Sequence, residues 1–131
     1  MRHVLDSYAM ISYLQREKGF ETVKQALEKA VQKGVKALMT MVNWGEVYYI
    51  IKREEGADTA EAMAEIIDTL PVELLPADRE LTRQAAFLKA DKKMSYADCF
   101  AAAAAIMNKA TLITGDKEFR EVEKEVKIEW I

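Results

Sequence analysis

HVLDSYAMISYL, His3 to Leu14, runs from a short apolar stretch through one acid into a helical pattern. "HVLD" reads as a buried strand ending in a carboxylate. From Ser7 to about Lys18 the spacing of Met10, Ile11 and Leu14 predicts a helix. The same alternation repeats down the chain. Over Glu21 to Lys33, Val23, Ala26, Leu27, Ala30 and Val31 follow the i, i+3, i+4, i+7, i+8 rule of an amphipathic helix, and Gly34 is placed to end it. "VKALMT" predicts a second strand. From Asn43 a helix carries Val47, Ile50 and Ile51 and stops at Gly56. Met63, Ile66, Ile67 and Leu70 mark another, closed before Pro71. "VELLPA" predicts a third strand, and Asp78 caps a helix built on Leu81, Ala85 and Leu88. Ser95 to Asn108 is an alanine-rich helix, "ATLIT" a fourth strand, Lys117 to Val122 a short helix and "VKIEWI" the last strand.

Strands that alternate with helices need crossover connections, so the sheet is parallel and covered on both faces. The expected fold is a three-layer α/β/α sandwich of one domain, residues 1–131, with a parallel sheet of about five strands. In open sheets of this kind ligands bind beyond the carboxyl ends of the strands.

Composition narrows the chemistry. Half of the 131 residues are hydrophobic and 31% are charged, enough for a real core. One cysteine, Cys99, excludes an internal disulfide and a cysteine-based zinc site. One histidine, His3, without a clear partner gives little support to Ser-His or Cys-His catalysis. The N-terminus lacks the apolar run of a signal peptide and no stretch is long enough to span a bilayer, so a cytoplasmic protein is expected. The net charge of −3 disfavours bulk electrostatic capture of nucleic acid, and leaves room for local, metal-assisted binding.

Three acids fall at the carboxyl edge of the expected sheet. Asp6 ends the first strand, Glu46 lies in the first turn of the helix after the second, and Asp116 lies just past the fourth. Asp98 stands at the head of the alanine-rich helix, and periodicity alone does not say at which edge that head emerges. Each acid has a local explanation. Asp6 and Asp116 are suited to N-capping, and Asn43 with Glu46, and Ser95 with Asp98, have capping-box spacing. Capping does not explain why "EVYYII" and "DCFAAAAAIM" surround these acids with apolar residues, where a carboxylate loses hydration and seeks a cation. Oxygen donors without imidazole or thiolate suit Mg²⁺ or Mn²⁺, and such ions assist attack of water on a phosphodiester.

At these residues the chain resembles the PIN-domain family, in particular the VapC-like toxin ribonucleases of type II (VapBC) toxin–antitoxin pairs. The matching stretches are "VLDSYAMISYL", "NWGEVYYII", "SYADCFAAAAA" and "LITGDKEF", in the family's order and across nearly the whole chain. The resemblance implies that Asp6, Glu46, Asp98 and Asp116 form a catalytic, metal-holding site, with the head of the Ser95 helix facing it. It implies that Thr114 orients a metal-held water or one of the acids. It gives Ser7, Asn43, Ser95 and Glu118 supporting places, although Ser95 and Asn43 also fit simple capping and Glu118 an exposed helical face. It further implies a Mg²⁺- or Mn²⁺-dependent endoribonuclease that inhibits translation by cutting RNA, a cognate VapB-like antitoxin and a homodimer.

Other features have plain explanations beside functional ones. Trp44, Tyr48 and Tyr49 suit core packing, base stacking or an antitoxin groove. Lys89, Lys92, Lys93, Lys52 and Arg53 suit phosphate contacts or a solvated face. Cys99 is expected to be buried, and Glu121 to Lys127 to be exposed. Two other readings are a PIN nuclease of RNA processing outside any toxin pair and a non-catalytic interaction module. A phosphotransfer domain fits less well, because "DSY" lacks the second acid of an Asp-x-Asp motif.

Overall fold

The computed structural model describes residues 2–131. Five parallel strands form one sheet: β1 (His3–Leu5), β2 (Ala37–Thr40), β3 (Val72–Leu75), β4 (Thr111–Thr114) and β5 (Ile128–Trp130), in the order β3-β2-β1-β4-β5. Six α-helices connect them: α1 (Ser7–Leu14), α2 (Phe20–Lys33), α3 (Met41–Glu55), α4 (Ala57–Thr69), α5 (Arg79–Asp91) and α6 (Tyr96–Asn108). A 3₁₀ turn spans Lys117–Val122.

Side-chain alternation along the central strands divides the core into two layers. Val4, Leu38 and Leu112 face the layer of α5, α6 and the 3₁₀ turn. Leu5, Met39 and Ile113 face the layer of α1 to α4. The five alanines Ala101 to Ala105 are all buried, and their small side chains let α6 lie close to the sheet.

Strand order places the functional edge. The chain builds β1, β2 and β3 outward in one direction, then returns to the other side of β1 with β4. The crevice at that reversal, at the carboxyl ends of β1 and β4, is where open sheets bind ligands. Leu5 pairs in register with Ile113, so the next residues, Asp6 and Thr114, arrive side by side.

Several local boundaries differ from the sequence expectation. The first helix ends at Leu14 rather than near Lys18, because Arg16 takes a left-handed conformation (φ 52°) and the chain turns. Gly19 follows at φ 95°, and a Cβ there would lie 2.6 Å from the Ile131 side chain. The helix expected from Asn43 begins at Met41. Its cap is Thr40, whose Oγ1 accepts the Asn43 N–H at 3.1 Å. Glu46 therefore lies in the second turn, and there is no Asn43–Glu46 capping box. The segment 121–127 is not simply exposed. Val122 and Val126 are buried, Glu121 accepts the Lys93 N–H, and Glu125 pairs with Lys92 at 3.0 Å.

Candidate metal centre

Asp6 is an N-cap. Its Oδ1 accepts the Ala9 N–H at 2.8 Å, which fixes the carboxylate over the first turn of α1. Its other oxygen, Oδ2, accepts the Thr114 hydroxyl from the neighbouring strand end. The same Thr114 Oγ1 accepts the Asp116 N–H at 3.0 Å. One hydroxyl at the end of β4 thus ties the acid after β1 to the acid after β4. Asp116 in turn caps the 3₁₀ turn, accepting the Glu118 N–H at 2.9 Å. Between them Gly115 has no room for a side chain: a Cβ would lie 2.4 Å from Tyr8 Cε1.

Asp98 arrives from the opposite direction. α6 is joined to β4 by only Lys109 and Ala110, so it must run antiparallel to that strand. Thirteen residues at about 1.5 Å each carry its head back across the whole sheet to the carboxyl edge. Ser95 caps this helix, its Oγ accepting the Asp98 N–H at 3.1 Å. The expected capping box is only half formed. The Ser95 N–H goes to Glu118 Oε1 at 3.0 Å, not to Asp98. The Asp98 carboxylate is thereby left to face the acids.

One carboxylate oxygen from each of Asp98, Asp116 and Glu118 lies within 4.8 Å of the other two. Asp6 stands beneath them, 1% exposed. Glu46 joins Asp98, Asp116 and Glu118 in the wall of a basin of about 440 Å³, together with Ser7 and Ser95. Asn43 is fully buried and orients Glu46, donating to its Oε1 at 3.0 Å and to the Ala97 carbonyl at 3.1 Å. The Thr40 hydroxyl holds Asn43 Oδ1 at 2.6 Å. The carboxyl edge thus brings every candidate of the sequence reading together. Glu118, an exposed residue on a short turn, belongs to the tightest group. Its bond from the Ser95 N–H and its contact with Asp98 distinguish it from an ordinary surface glutamate, and no local signal in the sequence carries either contact.

Electrostatics follow from burial and crowding. Asp6 is raised to about 7, first by burial and then by the charges of Asp116 and Glu46, against the two hydrogen bonds that favour its ionised form. Asp98, 5% exposed, is pushed up to about 9 by burial, by its hydrogen bond with Glu118 and by the charges of Asp116 and Asp6. Glu118 moves the other way, held down by the Ser95 N–H and by Asp98. The two shifts run in opposite directions across one contact: burial and neighbouring charge favour a protonated Asp98, and the Ser95 N–H favours an ionised Glu118. Among the described residues no Lys, Arg or His forms an ion pair with any of these acids. The donor set is oxygen only. Cys99 is fully buried in the α5–α6 layer, and His3 lies at the amino edge beside Arg2, Lys29 and Lys33 around a separate cavity of about 180 Å³. Clustered carboxylates with no protein cation fit a hard divalent ion, whose charge would offset their mutual repulsion.

The aromatic trio around Glu46 separates into two environments. Trp44 stacks on Tyr48, both pack on the α1–α4 core, and the Tyr48 hydroxyl donates to Glu61 at 2.8 Å. Tyr49 is exposed.

Residues 3–125 match the family model described as PIN domain. No curated protein matches the chain in sequence. Among solved structures the chain is similar to VapBC2 from Rickettsia felis bound to a DNA fragment from its promoter. The TM-score is 0.79 at 17% identity, covering 100% of this chain and 99% of that one. It is similar to DNA-bound VapBC from Salmonella typhimurium at TM-score 0.78 and 15% identity, over 98% and 97% of the two chains. It is also similar to VapC20 from Mycobacterium tuberculosis, a toxin that cleaves the sarcin–ricin loop. That match has TM-score 0.70 and 15% identity over 90% and 92%.

Proposed function

This chain belongs to the PIN-domain family, and on that premise we propose that it is a metal-dependent endoribonuclease, the toxin of a VapBC-type pair. The observation that carries the reading is the meeting of Asp98, Asp116 and Glu118 oxygens within 4.8 Å, above a buried Asp6 and beside Glu46. No fold requirement gathers acids from four chain segments at one edge, and doing so costs stability unless a cation joins them.

Asp98, Asp116, Asp6 and Glu46 would hold Mg²⁺ or Mn²⁺, with Glu118 beside them. When bound, the ion supplies activation of water and charge stabilisation at the phosphodiester. The chain's own part is positioning. Thr114 sets the spacing of Asp6 and Asp116 through one hydroxyl. Asn43 fixes the Glu46 carboxylate from below. Glu118 anchors the head of α6 through the Ser95 N–H and faces Asp98 across a hydrogen bond. Ser7 and Ser95 border the basin where a phosphate would enter.

The VapBC resemblance of the fold extends the proposal to partners: an RNA substrate, a VapB-like antitoxin that covers the acids, and a homodimer. Among the described residues no helix is long and apolar enough to cross a membrane, and a cytoplasmic toxin acting on translation fits that. The test is cleavage of a structured RNA pool with Mg²⁺ or Mn²⁺, with chelator and Asp98→Asn as controls. Cuts lost in both controls are expected. Cuts that survive Asp98→Asn would assign the activity elsewhere. Absence of both cutting and calorimetric metal binding would make the chain an interaction module.

A further inference from the structure

The face of α3 that enters the acidic basin continues beyond it. Glu46, Tyr49, Ile50 and Arg53 lie at i, i+3, i+4 and i+7, which places them on one stripe of the helix. Glu46 and Ile50 line the basin. Tyr49 and Arg53, with Lys52, line an adjoining shallow hollow. Arg53 lies seven residues beyond Glu46, about 10 Å along the helix axis.

Tyr49 is unlike its two aromatic neighbours. Trp44 and Tyr48 are held by the core, whereas Tyr49 is 51% exposed. The Arg53 guanidinium sits over one face of the ring, 5.2 Å from its centroid, and steadies it while the other face stays available. Lys52 and Arg53 are exposed and make no ion pair among the described residues. An acidic chain thus presents two cations without ion-pair partners among the described residues and a half-exposed aromatic ring on the helix that leads away from its carboxylate cluster. A buried role does not explain the ring, and its placement suits a strand that carries both flat bases and phosphates.

We propose that Tyr49, Lys52 and Arg53 form the seat of single-stranded RNA leaving the acidic basin, with Tyr49 stacked on a base and the two cations on flanking phosphates. This rests on the nuclease reading. The acids themselves repel a polyanion, so the seat supplies the attraction that the basin lacks, and it favours unpaired over duplex RNA because only an unpaired base offers its face.

The test measures fluorescence anisotropy of a short, labelled, mixed-sequence single-stranded RNA on the Asp98→Asn protein, with Tyr49→Ala, Tyr49→Trp, Arg53→Ala and Phe87→Ala added one at a time. Phe87, on α5, is a matched control: it is 69% exposed and lies outside the basin. Tyr49→Ala should weaken binding about tenfold, within the range of one base–aromatic stack, and Tyr49→Trp should preserve it. Arg53→Ala should make the salt dependence shallower by about 0.7 in log–log slope, the value for one phosphate contact on a single strand. Phe87→Ala should do nothing. RNA binding that ignores Tyr49 and Arg53, while the unmutated chain still cuts RNA with Mn²⁺, overturns the seat and leaves the nuclease. An equal loss in Phe87→Ala overturns it as non-specific. A Tyr49→Ala protein of halved mass in size-exclusion chromatography but unchanged RNA affinity assigns the face to a second copy instead. No binding by the Asp98→Asn protein and no cutting by the unmutated one removes both readings together.

Discussion

The heads of α5 and α6 use the same capping bond for opposite purposes. In α5, Asp78 Oδ1 accepts the Leu81 N–H at 3.0 Å; in α6, Ser95 Oγ accepts the Asp98 N–H at 3.1 Å. Both caps are exposed, and both third residues are buried. At α5 the charge stays in water and the leucine goes inward, the ordinary partition of a soluble helix. At α6 the neutral hydroxyl stays outside and the carboxylate goes inward. A cap fixes the backbone of a first turn but not the surroundings of the side chain three residues on. Those are set by what the fold brings opposite: apolar side chains of the α5–α6 layer for Leu81, three other acids for Asp98.

Substitutions at the two heads should therefore diverge. The largest effect is expected from Asp98→Asn, which keeps the Ser95 cap and removes the charge. RNA cleavage should fall by about two orders of magnitude or more, a loss of roughly 3 kcal/mol or more of transition-state stabilisation. Metal affinity should fall with it in calorimetry. Folding stability without metal should not fall, because the substitution removes a buried group whose ionisation the fold opposes. A variant that melts early instead would mean that Asp98 is structural, like Leu81.

Thr114→Val should come next. The shape is kept, but Asp6 Oδ2 and the Asp116 N–H lose their common partner, at a cost of about 1–3 kcal/mol for buried polar groups left unpaired. Chemical denaturation measures it, and Thr114→Ser should recover most of the loss. No recovery in the serine variant would assign the effect to packing rather than to the hydroxyl.

A third test uses pH. Asp6 and Asp98 bind protons more tightly when folded, at about 7 and about 9, than at the unfolded carboxyl value of 3.8. Between those limits the folded chain carries more protons than the unfolded one, so stability falls as pH rises. In chelator the melting temperature should decline from about pH 5 towards pH 9, first through Asp6 and then through Asp98. Saturating Mn²⁺ should flatten or reverse the trend, because an ion replaces the protons. A melting temperature that rises with pH in chelator would mean that the cluster is ionised and hydrated without an ion.

The smallest effect belongs to the α5 head. Asp78→Ala should cost about 1 kcal/mol, the usual worth of a side-chain cap. Metal affinity and cleavage should stay unchanged, and a loss of either would break the contrast between the two heads.

Most of the fold was legible because its signals are local. Apolar runs marked the strands, i, i+3, i+4 spacing marked the helices, and Gly34 and Gly56 ended two of them where expected. The misplaced starts and stops have local causes that short-range patterns underweight. Thr40 outcompeted Asn43 as a cap, and the left-handed turn at Arg16 cut α1 short. Four acids of the candidate site were also visible as residues at strand ends or helix starts, three of them assignable to the carboxyl edge. Their burial was suggested only indirectly, by the apolar sequence around them.

By itself the sequence determined the element order, the caps and the supply of carboxylates without thiolate or imidazole, because each depends on neighbours a few residues away. Only the tertiary structure decided which of these groups meet. It set β1 beside β4, so that one threonine bridges Asp6 and Asp116. It turned the head of α6 back to the carboxyl edge and brought Glu118 across to Ser95. It also packed Trp44 and Tyr48 against the core and left Tyr49 in solvent. The reason is physical: hydrogen-bonded caps are short-range and written in adjacent residues, whereas burial and the field at a carboxylate depend on groups that only the crossover connections bring within a few ångströms.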